Sequence, residues 1–189
     1  SDVYKRQTIQ NVNAPSVTTM KQADAEKLLK DKKLIAEVEE VYYSKGSNYE
    51  YAPVGYVIKQ EPASGSSIAE GSTVKIYVNK GFSANITVNL PSDLKLEQYY
   101  VSLWADGVAV AESKMLDATQ LSKYTFENVT SKRDSGTYTV KIRSASSNAL
   151  DYQVITVDFK EGAAKRVGSY DDYKKLDADT SSSDNEDFN

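Results

Sequence analysis

Apolar and polar positions alternate most regularly over residues 54–81 and again beyond residue 85. Val74, Ile76 and Val78 fall at period two, as a half-buried strand requires. Upstream of them, Pro62-Ala63-Ser64-Gly65 and Glu70-Gly71-Ser72 carry turn chemistry, with glycine where a positive φ is expected. The stretch therefore predicts strand, turn, short extended piece, turn, strand. Residues 20–31 predict a helix, with Ala25, Leu28 and Leu29 on one face and charges around the rest. Thr19 and Gln22 fit a capping box at its start. Residues 34–43 read as a strand in partial alternation, and a long loop over residues 44–53 follows.

After Gly81 the pattern becomes all-β. Ile86, Val88 and Leu90 alternate, as do Tyr99, Val101 and Leu103. Asp106-Gly107 is a hairpin turn signal between a strand ending at Ala105 and one starting at Val108. Further strands are expected at residues 123–129, 137–143 and 152–159, and short strands at this density suggest a β-sandwich. Residues 161–189, ending in Asp-Thr-Ser-Ser-Ser-Asp-Asn-Glu-Asp-Phe-Asn, are polar and acidic, and disorder is expected there.

The spacing Gly55-x-Val57-x-x-Gln60-x-Pro62-x-x-Gly65-x-x-Ile68-x-x-Gly71-x-x-Val74-x-Ile76-x-Val78 resembles the C-terminal half of a PASTA domain. The resemblance extends upstream through Pro15, Val17, Asp24-Ala25 and Leu28-Leu29, and covers residues 8–81. Two positions depart from the pattern: Thr19 stands where glycine is expected, and Lys21 where a helix-capping Ser or Thr is expected. The resemblance implies one helix on a small antiparallel sheet, in a module found outside the membrane on bacterial Ser/Thr kinases and penicillin-binding proteins. Asp134-Ser135-Gly136-Thr137-Tyr138 is similar to the tyrosine corner of immunoglobulin-like domains, in which the Tyr hydroxyl bonds an upstream backbone group. Val140 occupies the position that is cysteine in antibody domains. The expected organisation is thus a PASTA domain over 8–81, an immunoglobulin-like sandwich over 82–160 and an acidic tail over 161–189. Residues 1–7 resemble an in-frame translation of a sequencing adapter and are expected to be non-native.

Composition narrows the chemistry. The chain has no cysteine and no histidine, which removes Cys–His and Ser–His nucleophile pairs, disulfides and zinc sites of the usual ligands. No cofactor and no metal is expected. Residues 161–189 carry a balance of −4, equal to the whole-chain total, so neither globular segment is basic and nucleic acid is not an expected partner. Ser92-Asp93-Leu94-Lys95 and Ser183-Asp184-Asn185 match two transpeptidase motifs, but no Lys-Thr-Gly accompanies them. Both are read as chance, and no catalytic residue is assigned. Glu39 and Glu40 are strand neighbours that point to opposite faces and cannot share a substrate.

The binding candidates are tyrosines. Tyr42, Tyr43, Tyr49, Tyr51 and Tyr56, five of the fourteen, flank the long loop. Tyr49, Tyr51 and Tyr56 could stack on a sugar–peptide ligand, with Lys45 or Lys59 meeting its carboxylates. The competing reading is that tyrosine simply favours strands. The expected partners are peptidoglycan fragments or cell-wall precursors, with self-association of ectodomains as a further expectation. The resemblance implies a non-catalytic, extracellular cell-wall sensing or spacing region of a transmembrane Ser/Thr kinase, joined to the membrane only through an upstream span. The alternatives are an accessory region of a penicillin-binding transpeptidase and a wall-associated scaffold.

Overall fold

The computed structural model describes residues 8–176, so the expectation for residues 1–7 lies outside the described residues. The chain divides into two compact units, Ser1–Phe82 and Ser83–Asn189. In the first unit, β1 (Asn11–Asn13), α1 (Gln22–Asp31), β2 (Ile35–Tyr43), β3 (Val57–Glu61), β4 (Ser67–Ala69) and the beginning of β5 (Thr73–Asn89) follow one another. The central sheet has the order β2-β5-β3, and β1 pairs with β4 in a separate ribbon. The sheet is mixed rather than antiparallel throughout, because β2 runs parallel to β5 while β3 runs antiparallel to it. A parallel pair needs a long crossover, and residues 44–72 supply it.

One face of this sheet, carrying Val74, Ile76 and Val78, packs against Ala25 and Leu29 of the helix and against Val17. The expected capping box does not form. Lys21 is the N-cap and makes no side-chain cap bond, Gln22 instead bonds Glu26, and Thr19 adopts φ 70. The C-terminus is closed more tightly. Lys33 takes the left-handed conformation, and the amides of Lys33 and Leu34 donate to the carbonyls of Lys30 and Leu29. These two bonds make a Schellman motif with lysine where glycine is usual.

Gln60 is the polar centre of this unit. It is 8% exposed, its Oε1 accepts from the Val17 amide, and its Nε2 donates to the carbonyls of Pro15 and Pro62. One side chain thus satisfies three backbone groups that bring the N-terminal segment onto β3. Gln60→Ala is expected to destabilise the first unit by about 1–3 kcal/mol, since orphaned buried groups cost that much. Urea titration followed by tyrosine signals of this unit checks it, and an unmoved midpoint would contradict the assignment.

In the second unit, β6 (Gln98–Ala105), β7 (Val108–Glu112), β8 (Leu116–Asp117), β9 (Lys123–Ser131), β10 (Ser135–Arg143), β11 (Leu150–Asp158) and β12 (Ala163–Ser169) build a sandwich. The larger sheet has the order β12-β11-β10-β6-β7, with β8 also on β6, while β9 pairs with β5. The order β7-β6-β10-β11 is that of C′-C-F-G in an immunoglobulin-like domain, and β5–β9 corresponds to its B–E pair. Ile86, Val88, Tyr99, Val101, Leu103, Phe126, Val140 and Ile142 are among its buried residues, which is the alternation expected from the sequence. The β6–β7 hairpin turns at Asp106 (φ 50) and Gly107 (φ 76), the paired positive angles of a type I′ turn.

Tyr138 is buried, its ring folds back over Gly136, and the Ser131 side chain acts on its hydroxyl. A Cβ at Gly136 would stand 3.0 Å from Tyr138 Cε2, so the glycine is there to make room for the ring. Gly136→Ala is expected to destabilise this unit by about 1–3 kcal/mol through overpacking, read as a lowered denaturation midpoint. An unchanged midpoint would show that the ring can move aside.

The expectation for the tail needs correction. Residues 163–176 are ordered: β12 pairs with β11 from Ala163 to Ser169, and a 3-10 turn, Asp172–Lys175, buries Tyr173. Local composition hid this, because β12 is exposed at almost every position and so shows no apolar alternation. The remainder of the expected tail, including Ser183-Asp184-Asn185, lies outside the described residues.

Candidate functional site

The face of the first-unit sheet opposite the helix is set by the other phase of the same alternation. Lys75 and Tyr77 project there between Val74, Ile76 and Val78. Cross-strand register places Glu37 and Glu61 beside Lys75, and Glu39 and Lys59 beside Tyr77. The side chains interlock. The Tyr77 hydroxyl donates to Glu61 Oε2 at 2.9 Å, Lys59 Nζ lies 2.9 Å from Glu61, and Lys75 Nζ lies 2.7 Å from Glu39. Lys59 and Lys75 sit 5.2 and 5.4 Å from the centre of the Tyr77 ring. Tyr49 comes in from the long loop, with its ring 6.1 Å from that of Tyr77.

These contacts set the ionisation of the face. The hydrogen bonds from Lys59 and then Tyr77 hold the Glu61 carboxyl below its ordinary range. Bonding to Glu61 raises Lys59, and bonding to Glu39 raises Lys75. The Tyr77 phenol is also pushed up, first by its bond to Glu61. Each lysine therefore stays charged at neutral pH and already has a carboxylate partner. An incoming anion must compete with Glu61 or Glu39 for it.

Beside this face a polar groove of about 400 Å³ runs between the long loop and the segment around Thr18. Thr18, Asn48, Glu50, Lys59, Gln60 and Ser64 line it, so Lys59 belongs both to the face and to the groove. Hydroxyl and amide groups dominate the walls, which suits a hydrated, hydrogen-bonding ligand better than an apolar one.

The five sequence candidates do not converge on one place. Tyr49 and Lys59 meet at this face. Tyr51 packs edge-on to the buried Tyr43 at 5.5 Å and stacks on the buried Phe82 at 6.1 Å, which is a structural position. Tyr56 is half-buried, and its backbone carbonyl accepts from the Asn79 amide. Lys45 lies exposed in the loop. Sequence reasoning missed Tyr77, Glu61 and Lys75, although the alternation that put Val74, Ile76 and Val78 inward already put Lys75 and Tyr77 outward. Glu39 lies on this face and Glu40 is in register with Val78 on the other, as neighbours on a strand must.

Nothing in the described residues resembles an acylation centre. Ser92-Asp93-Leu94-Lys95 lies in an irregular segment rather than on a helix, and Asp93 accepts the Tyr173 hydroxyl at 2.9 Å. No cluster of three or more Asp and Glu side chains suited to a metal ion occurs among the described residues.

The match to known families falls on the first unit, where residues 12–80 fit the PASTA domain. Residues 12–80 are a PASTA domain. In this PASTA domain the helix packs on the sheet face that carries Val74, Ile76 and Val78, Gln60 of β3 ties down the N-terminal segment, and Tyr77 lies on the opposite face. Among solved structures, the chain is similar to the entire extracellular region of the Ser/Thr kinase PrkC from Staphylococcus aureus. The similarity is at 24% identity, covering 85% of this chain and 52% of that one, with a TM-score of 0.32. The chain spans about half the length of that solved chain. No curated protein sequence matches it. No helix among the described residues is long and apolar enough to cross a membrane.

Proposed function

We propose that the chain is a non-catalytic extracellular region of a bacterial transmembrane Ser/Thr protein kinase, where it senses cell-wall material or spaces the ectodomain. The observation that carries this reading is the PASTA domain at residues 12–80. The outer face of its sheet supports the sensing role. Tyr49 and Tyr77 offer rings for the apolar side of a sugar, and Lys59 offers a cation where face and groove meet. The ligand class is a peptidoglycan fragment or precursor, in which sugar rings and a carboxylate occur together.

Affinity for one such module is expected to be weak, on the order of millimolar to high micromolar Kd, roughly −4 to −6 kcal/mol. The lysines are already paired and the face is exposed, so little net charge is available. Signalling would then draw on several modules, since linked sites raise effective concentration without any new contact.

NMR titration of the chain with synthetic muropeptides tests the sensing role. Shifts are expected at Tyr49, Lys59 and Tyr77 and should be lost in Tyr49→Ala. Glu61→Gln, which frees Lys59, is expected to tighten binding by up to about fivefold, the worth of one exposed ion pair. Absence of shifts at millimolar ligand would leave spacing as the role of this module.

A further inference from the structure

The second unit contains a cleft of about 320 Å³ that the reading above does not use. Ser92, Tyr152, Gln153, Arg166, Tyr170 and Tyr173 form most of its wall. Three of these come from the returning segment after residue 162, so the cleft exists because that segment folds back onto β11. Its volume falls at the small end of the range for small-molecule sites.

Most polar groups in the cleft are already engaged. The Tyr173 hydroxyl donates to Asp93 at 2.9 Å, and Lys174 lies 3.7 Å from Asp93 and 3.1 Å from Asp171. Gln153 is 4% exposed, and its side chain acts on the Tyr152 phenol, partly offsetting the effect of burial. Arg166 differs. It is exposed, no ion pair joins it to a carboxylate among the described residues, and its charge acts on the Tyr152 phenol. Arg143, on the same sheet, shows the contrast: Glu112 chelates it through both oxygens, and it lies 4.0 Å above the Tyr100 ring.

A guanidinium presents a planar fork of donors that matches a carboxylate. Tyr170 lines the same cleft, is 43% exposed and offers ring surface. Asp93 and Asp171 also line the cleft and disfavour a dianion such as a phosphate monoester, which leaves a singly charged acid as the better fit. We propose that this cleft is a second ligand site, for a small molecule or chain end that carries one free carboxylate beside an apolar or sugar-ring body. Arg166 holds the carboxylate, and Tyr152 and Tyr170 cover the body. The site lies wholly within the second unit and does not depend on the outer face of the PASTA domain.

Two sources supply this chemistry, a peptide C-terminus and an acidic sugar, and a three-armed titration separates them. The isotope-labelled full chain is titrated with N-acetyl-alanyl-alanine, with the amide of the same peptide, and with glucuronic acid. Shifts at Gln153, Arg166 and Tyr170 with at least one acid, but not with the amide, are expected. The acid that acts names the source. Arg166→Gln should weaken binding about tenfold or more, and Arg166→Lys should retain part of it because the charge remains. Equal shifts with acid and amide, no shift with either acid at about 20 mM, the millimolar limit of weak binding, or unchanged affinity in Arg166→Gln with an unaltered melting curve would each overturn the proposal.

Discussion

Tyr173→Ala is expected to destabilise the second unit by about 3–5 kcal/mol, the usual cost of deleting a large buried aromatic. The ring is 6% exposed and meets Tyr152 edge-on at 4.9 Å. Its hydroxyl donates to Asp93, eighty residues away in sequence, and Leu176 is buried just beyond it. Tyr173→Phe keeps the ring and should cost only about 1 kcal/mol, the net value of one hydrogen bond. A chain ending at residue 162 loses the ring, Leu176 and the whole of β12, and should fail to unfold cooperatively. Trp104, the one tryptophan of the chain, lies in β6 of this unit, so its fluorescence in urea reports all three variants. A truncated chain with an unshifted midpoint would show that residues 163–176 merely lie on the surface.

Alkaline pH is expected to destabilise the second unit more steeply than the first, whose raised groups lie on an exposed face. Burial pushes up the phenols of Tyr99, Tyr138, Tyr152 and Tyr173, with Tyr99 reaching about 12. Tyr99 is 1% exposed, and its hydroxyl has no hydrogen-bond partner among the described residues. A phenol whose folded-state pKa lies above its unfolded value stabilises fully below the unfolded value of about 10 and loses that contribution as pH rises through the folded value. For Tyr99 the loss spans pH 10 to about 12. Each phenol involved should lower stability by on the order of 1.4 kcal/mol per pH unit in that window. The Trp104 midpoint should therefore fall steeply above pH 10, and a midpoint constant to about pH 11.5 would contradict this burial pattern.

What could be read from the sequence was whatever depends on periodicity or turn chemistry. Val74, Ile76 and Val78 gave the buried face of β5, Asp106-Gly107 gave the hairpin, and Ala25, Leu28 and Leu29 gave the packed face of the helix. What could not be read depends on distant partners. Tyr173 sits between Asp172 and Lys174 in a stretch that looks solvated, and only its contacts with Tyr152 and Asp93 make it a core residue. Gly81 reads as a break between strands, yet β5 continues through it. There the register of β2 shifts between Val41 and Tyr42, and Asn79 Oδ1 accepts the Gly81 amide. For the candidate site, clustering in sequence grouped Tyr49, Tyr51 and Tyr56, but clustering carries no direction. Strand phase does, and it selects Tyr77 as the partner of Tyr49 and Lys59.

The central claim is that this PASTA domain serves a membrane Ser/Thr kinase. Sequencing the source locus upstream of residue 8 tests it most directly. The account predicts a reading frame with one membrane span preceded by a kinase domain bearing His-Arg-Asp and Asp-Phe-Gly motifs. A large exported domain with Ser-x-x-Lys, Ser-x-Asn and Lys-Thr-Gly in that position would contradict it and make the chain an accessory region of a transpeptidase.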